Sequence, residues 1–178
     1  MTQPLRYHKA LITLHWLLAI LLSVALFVGG IVLTEIPNHA AEKIIVLRAH
    51  MVAGFVILVL TLVRLFVRIR SAKPAPATTG VPLLDTLGHW THWLLYLLVF
   101  AMVASGIALA VQANLASAVF MNSTALPGNF EAFAPRLAHG ILAKALMLLI
   151  ALHAAAALYH QFVRKDQLLT RMWWKTKR

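Results

Sequence analysis

The stretch RLAHGILAKALMLLIALHAAAALYH, residues 136–160, is apolar over the length of a membrane, yet it carries three histidines. At 1.5 Å per residue, a helix of this length covers roughly 37 Å, which exceeds the ~30 Å thickness of a hydrocarbon core. Polar side chains are costly in lipid, so histidines in such a helix are expected to face protein or a bound group. The stretch therefore predicts a transmembrane helix with a functional face.

Three further apolar runs precede this one, and 61% of the 178 residues are hydrophobic. The four predicted spans cover residues 11–34, 47–67, 93–111 and 137–162. The connections between them are short and rich in Pro, Gly, Ser and Asn, which leaves no room for a water-soluble domain. Residues 1–178 are therefore predicted to form a single all-α domain, an integral membrane four-helix bundle with up-and-down topology.

The net charge of +11 is interpreted as a topology signal. Most of the Lys and Arg residues precede the first span, follow the second or follow the fourth. Because cationic residues accumulate on the cytoplasmic side of membrane proteins, both termini are predicted to be cytoplasmic. We expect these charges to contact the lipid bilayer and not a nucleic acid. Trp173 and Trp174 are expected to anchor the chain at the membrane interface.

The histidines fall at two depths of the predicted bundle. His139 and His153 are 14 residues apart, which on a helix is a rise of ~21 Å with a return to within ~40° of the same face. His50 opens the second span and His139 opens the fourth from the same side, so these two match in depth. His15 lies ~9 Å into the first span from the other side, within reach of either His153 or His160.

Spacing favours His153 over His160 as the partner of His15. The first choice places two sites ~21 Å apart within a core of ~30 Å, whereas the second separates them by about 31 Å and moves one to the headgroups. Two facing pairs in the core of a bundle are the pattern expected of two haems, each iron held by imidazoles from different helices. The predicted pairs are His50 with His139 and His15 with His153.

Two different roles for these histidines stay open. A single histidine in a membrane helix more often forms a hydrogen bond between helices than a bond to a metal. Zinc and copper also bind imidazole, but such sites usually gather carboxylates or thioethers, and the five acidic residues lie near the ends of the spans. The absence of cysteine excludes thiolate ligands and iron–sulfur clusters.

The sequence leaves the roles of two cations inside the spans undecided. Arg64 follows His50 by 14 residues, at the approximate level of the lower pair, where it can bind a haem propionate or extend to the interface. Lys144 can extend outward, pair with an upper propionate, or attract an anionic substrate together with other outer-side cations. Those outer-side cations are Lys43, Arg48 and Arg136.

Four stretches resemble the bacterial cytochrome b561 family, small four-helix di-haem proteins that include superoxide oxidases. They are HWLLA (15–19), VRLFVRI (63–69), GHWTHWLLYLL (88–98) and HGILAKALMLLIALHAAAALYHQFVRKDQLLTRM (139–172). The resemblance implies two haems b as cofactors, with His15, His50, His139 and His153 as the iron ligands. It also implies a bacterial inner (plasma) membrane enzyme that transfers electrons from periplasmic superoxide to ubiquinone, giving dioxygen and quinol.

Quinone reduction needs protons, which imidazoles at the cytoplasmic edge of the membrane can supply. Four residues are expected near that edge as catalytic candidates: His92, His160, Lys165 and Asp166. The resemblance through HQFVRKD (160–166) supports the last three as neighbours of a ubiquinone pocket. A role of Lys165 and Asp166 in capping the helix stays open, and His89 is expected in an exposed loop.

Two alternative functions remain open. The first is a quinone-linked electron carrier that serves a periplasmic redox protein, a function that the same fold can perform. The second is a membrane protein that binds a metal without redox chemistry, or one with a purely structural role. The first shares the haem ligands with a superoxide oxidase and differs only in its electron donor.

Overall fold

The computed structural model describes residues 4–76, 78–121 and 123–174, and all regular structure within these ranges is helical. Four helices are long and apolar enough to cross a membrane: α1 (Lys9–Glu35), α2 (Ala41–Arg70), α3 (Pro82–Gln112) and α5 (Ala134–Arg164). A short helix, α4 (Leu115–Phe120), lies between α3 and α5, and a 3₁₀ turn (Leu168–Met172) follows α5. The predicted all-α, four-helix membrane fold is confirmed.

Helix α3 differs most from its predicted span, because it begins at Pro82 and not at residue 93. A proline is well tolerated in the first helical turn, where its missing N–H would have no partner. The Thr79 hydroxyl donates a hydrogen bond of 2.7 Å to Asp85 and so fixes the start of the helix. His89 lies on this helix and is exposed, so the expectation that it lies in a loop is wrong.

The spanning helices share one layer of apolar side chains at the middle of the bundle. Each helix contributes one residue, none of them more than 6% exposed: Leu18, Ile57, Val99 and Leu146. Helix α1 packs mainly against α2, and α3 packs mainly against α5. The central layer separates two internal cavities, one beside His50 and the other beside His15.

Two of the spanning helices contain a π-helical turn, a wider turn that often occurs at functional sites. In α1 the turn covers Val28–Val32, and its Gly29 lies against His50. In α5 the turn covers His160–Arg164 and ends at Lys165, which adopts a left-handed conformation with φ of 58°. Both π turns therefore lie next to histidines.

The chain after α5 folds back against the start of α1. The indole of Trp16 donates a hydrogen bond of 2.8 Å to the carbonyl of Met172, and the indole of Trp174 donates one of 3.1 Å to the Thr13 hydroxyl. Residues 165–174 therefore cover the end of the bundle that contains His15. At the opposite end, α4 packs on α2 through Val119, which is fully buried.

Candidate cofactor site

Two pairs of histidines face each other across the bundle. His15 on α1 faces His153 on α5, and His50 on α2 faces His139 on α5, with ring centres 6.3 Å apart in both pairs. Two metal–nitrogen bonds of about 2 Å, plus roughly 1 Å from each nitrogen to its ring centre, place the centres of opposed imidazole ligands about 6 Å apart. Each pair therefore has the separation that suits one metal ion between the rings. The structure brings together the partners expected from spacing, and their ligation of iron stays a prediction.

The His50–His139 pair lines a cavity with otherwise mostly apolar walls. Glycines leave room for both rings: a Cβ on Gly29 would lie 2.8 Å from His50 Cε1, and one on Gly106 would lie 3.2 Å from His139 Cε1. The two rings thus occupy space that a larger residue would fill.

Ser105 fixes the orientation of the His139 ring. Its hydroxyl donates a hydrogen bond of 2.8 Å to the carbonyl of Met102 and lies 2.9 Å from His139 Nδ1. Because the hydroxyl hydrogen is used by Met102, the serine oxygen acts as acceptor and Nδ1 carries the proton. The lone pair of the ring then lies on Nε2, the nitrogen that remains available to a metal ion.

The ring of His50 lacks such a support. Its Nδ1 is buried and has no hydrogen-bond partner among the described residues. Buried polar atoms in proteins are nearly always paired, so an unpaired ring nitrogen in an apolar cavity indicates a place for a group that is not part of the chain. The His50 side of the cavity therefore fits a bound cofactor.

The His15–His153 pair lines a second cavity, which has more polar walls. The ring of His92 is also here, 5.4 Å from that of His153, with its Nδ1 3.0 Å from the carbonyl of Gly88. This separation is shorter than the ~6 Å of ligands on opposite sides of one metal ion. His92 is thus a neighbour of the pair. The expectation that His92 lies with His160 at the edge of the membrane is wrong, because α3 places it beside His153.

The number of protein ligands distinguishes a haem from a zinc site. Among the residues that the structure describes, no three His, Cys, Asp or Glu side chains come together in a way that could hold a metal ion. Structural zinc sites need four protein ligands and catalytic ones three. Paired imidazoles fit a cofactor that supplies the other ligands itself, as the porphyrin of a haem does.

A separate polar cluster follows the end of α5. His160 Nδ1 lies 2.5 Å from an oxygen of Asp166, and the backbone N–H of Leu168 donates a hydrogen bond of 3.2 Å to the other oxygen. Partial burial opposes ionisation of Asp166, but these hydrogen bonds and the nearby Arg164 outweigh it and hold the pKa of Asp166 below its usual value. The structure brings His160 and Asp166 together as expected.

Lys165 lies apart from the pair that His160 and Asp166 form. It is exposed, and its backbone N–H bonds to the carbonyl of His160, which ends the helix. The capping role that the sequence left open is therefore observed for the backbone of Lys165.

The cations at the His50 end are mostly engaged by the protein. Lys43 is only 5% exposed and donates to the carbonyls of Leu33 and Ile36, while Arg48 donates from Nε to the carbonyl of Val119 at 2.8 Å. The carbonyls at the end of a helix have no intrahelical partner, and cations there also complement the helix dipole. Lys43 and Arg48 therefore stabilise helix ends, which limits their use in attracting an anion.

Arg136 and Lys144, the remaining cations on that side, have different surroundings. Arg136 Nε lies 3.5 Å from Glu131, an ion pair that is largely exposed at the glutamate. Lys144 is exposed on α5, facing away from the cavities. Lys144 therefore lines neither cavity, and the roles that the sequence left open for it stay predictions.

Comparison with known proteins gives one consistent result. A family model described as prokaryotic cytochrome b561 matches residues 6–175. The probable superoxide oxidase CybB of Yersinia pestis is 31% identical, with 94% of this chain and 95% of that protein aligned. Cytochrome b562 of Cereibacter sphaeroides is 33% identical, with coverage of 97% and 98%, and cytochrome b561 homolog 2 of Escherichia coli (strain K12) is 26% identical, with coverage of 95% and 92%.

Proposed function

The chain belongs to the prokaryotic cytochrome b561 family, and from this premise we propose that it oxidises superoxide at the outer face of the membrane and reduces ubiquinone. The family and the four apolar helices make it a multi-pass protein of the bacterial inner membrane that carries electrons with haem b. In the balanced reaction, two superoxide anions, one quinone and two protons give two dioxygen molecules and one quinol. The single observation that carries the proposal is the pair of facing imidazoles at each of two levels, with the same separation of 6.3 Å.

In this proposal His50 and His139 hold an outer haem b, and His15 and His153 hold an inner one. Bound haems supply one-electron redox chemistry at two depths of the bilayer. If both imidazoles of a pair held the haem, it would supply electron transfer without binding dioxygen. Leu18, Ile57, Val99 and Leu146 form the dry layer between the two sites, which keeps water out of the electron path.

The inner end of the protein supplies the protons. His160 and Asp166 form a hydrogen-bonded pair in which the carboxylate orients the ring, as in other imidazole–carboxylate pairs that transfer protons. The proposed quinone site lies beside this pair, with Lys165 at its rim. Both termini are assigned to the cytoplasm, because the basic residues near them follow the positive-inside pattern.

The experiment that tests the proposal uses the purified protein in detergent or in proteoliposomes. We expect a dithionite-reduced spectrum of b-type haem, two haems per chain, rapid reduction by superoxide without another protein, and formation of quinol. The heat-denatured protein is the control for spontaneous dismutation of superoxide. A colourless preparation from haem-replete cells would overturn the haem assignment, and haems that superoxide does not reduce would overturn the choice of donor.

One observation favours a second candidate, an electron carrier that accepts electrons from a periplasmic redox protein. Two of the cations at the His50 end are bound to helix carbonyls, while Glu35, Glu42 and Glu131 are exposed there. Exposed carboxylates at this end oppose the approach of a superoxide anion and offer contacts to a partner with a basic surface. This candidate predicts slow reduction of the haems by superoxide and co-purification of a periplasmic redox subunit.

A further inference from the structure

Helix α2 places two unpaired polar side chains in the wall of the His15 cavity. Thr61 is 3% exposed, and its hydroxyl has no hydrogen-bond partner among the described residues. The same holds for the buried Nε of Arg64, three residues later on the same face of the helix. Two hydrogen-bond donors therefore line one cavity without an acceptor.

Tyr96 on α3 adds a third donor to this wall. Arg64 Nη1 donates a hydrogen bond to the Tyr96 hydroxyl oxygen, and the guanidinium carbon lies 5.4 Å from the centre of the ring. Because this oxygen accepts, the hydroxyl hydrogen of Tyr96 is left for another acceptor. Arg64 is thus turned inward and held by Tyr96, and it does not extend to the membrane interface.

No carboxylate among the described residues forms an ion pair with Arg64. The chain has five Asp and Glu residues, and the ion pairs among the described residues involve only Glu131 and Asp166. A cation at this depth is costly without a counter-ion, and the planar guanidinium matches a carboxylate. The cavity therefore requires an anion from outside the chain, and its donors suit a carboxylate.

We propose that Thr61, Arg64 and Tyr96 bind a carboxylate in the His15 cavity, and that this carboxylate is a propionate of the haem held by His15 and His153. The inference rests on the proposed function, which places a haem between these two rings. It also gives the two sites different electrostatics, because no Lys or Arg of the described ranges lines the His50 cavity. A cation beside the inner haem stabilises its reduced form, which draws the electron inward.

The test compares purified holoproteins carrying Arg64→Gln, Thr61→Val or Arg70→Gln. Arg70→Gln is the matched control, since it removes the same charge from an exposed position of the same helix. Each protein is examined for haem content, for the midpoint potential of each haem, and by resonance Raman spectroscopy of the propionate bending vibrations. These vibrations are enhanced only when the carboxylate belongs to a haem, so a fatty acid in the cavity would leave them unchanged.

We expect Arg64→Gln to lower the midpoint potential of one haem and to shift its propionate band, with a smaller shift of the same band in Thr61→Val and none in Arg70→Gln. Unchanged bands in both cavity variants would overturn the inference, even if the potential moves, because the carboxylate would then not be a propionate. Should Arg64→Gln fail to accumulate, the band of Thr61→Val decides alone. A wild-type protein without haem would instead overturn the proposed function itself.

Discussion

His50 Cε1 lies 2.8 Å from the position that a β-carbon on Gly29 would occupy. Carbon atoms that are not bonded do not approach this closely, so a side chain at position 29 requires the ring of His50 to move. The glycine belongs to the π turn Val28–Val32 of α1, which lies against the His50 ring of α2. The conformation of His50 therefore depends on the absence of a single methyl group on the neighbouring helix.

Gly29→Ala should displace His50 and reduce occupancy of the outer haem, with a loss of stability of roughly 1–3 kcal/mol from overpacking. Gly30→Ala is the matched control, because a β-carbon there would meet nothing within 4 Å. The measurement is the ratio of haem to protein together with the thermal midpoint of both variants. Equal haem content in the two variants would contradict the contact between Gly29 and His50.

Replacement of an outer ligand should remove one haem and leave the other. His50→Leu and His139→Leu each delete one imidazole from the same pair, so both are expected to lose the outer haem and keep the inner one with its spectrum unchanged. Haem-to-protein stoichiometry and the reduced spectrum provide the measurement. Two unaltered haems in either variant would show that the pair does not ligate iron.

The fold and the histidine pairs could be predicted from the sequence, because both follow from the lengths of apolar runs and from distances along a helix. Apolar runs of about 20 residues fix the spans, and the rise of 1.5 Å per residue fixes the depth of a side chain within them. His50, His139, His15 and His153 therefore appeared in pairs from their positions along the chain, and the structure places these partners opposite each other.

Other features could not be predicted without the packed structure. The start of α3 was missed because Asp85, Gly88 and His89 lower the apolar character of its first turns, although Pro82 was an available signal for a helix start. The π turn in α1 contains the pair Gly29–Gly30, a signal for an irregular helix that does not specify a π turn. The contact between Ser105 and His139 depends on the rotation of two helices, which spacing along one helix does not specify.

Ser105→Ala should alter the outer haem without removing it. The substitution removes the serine oxygen that accepts from His139 Nδ1, so the ring loses part of its basicity. A weaker donor to the iron stabilises the reduced form, and the midpoint potential of the outer haem should rise. Potentiometric titration checks this result, and Ser105→Thr, which keeps the hydroxyl, should restore the wild-type value.

The contact of the C-terminal segment with α5 should persist under mild acid. The pKa of Asp166 is lowered in the folded protein, so its carboxylate adds stability above the unfolded pKa of about 3.9, and this contribution disappears as the pH falls through the lower folded value. Between pH 7 and 5, hydrogen–deuterium exchange of residues 165–172, corrected for intrinsic rates, should not become faster. Asp166→Asn should exchange faster throughout this range, and protection equal to the wild type would contradict a role of the carboxylate.

The inner histidines of α5 are expected to have different roles, and two substitutions separate them. His153 faces His15 within the bundle, so His153→Leu should lose the inner haem and all electron flow to quinone. His160 instead contacts Asp166 at the end of the helix, so His160→Leu should keep two haems with normal spectra. Loss of a general acid typically lowers the rate of a reaction roughly 10²-fold or more, and quinol formation should fall by about that factor.

Haem content and superoxide-dependent quinol formation are measured on both variants, with His89→Leu as a control for an exposed histidine on α3. If His160→Leu loses a haem while His153→Leu keeps both, the inner iron lies at the membrane surface and the pairing of His15 with His153 is wrong.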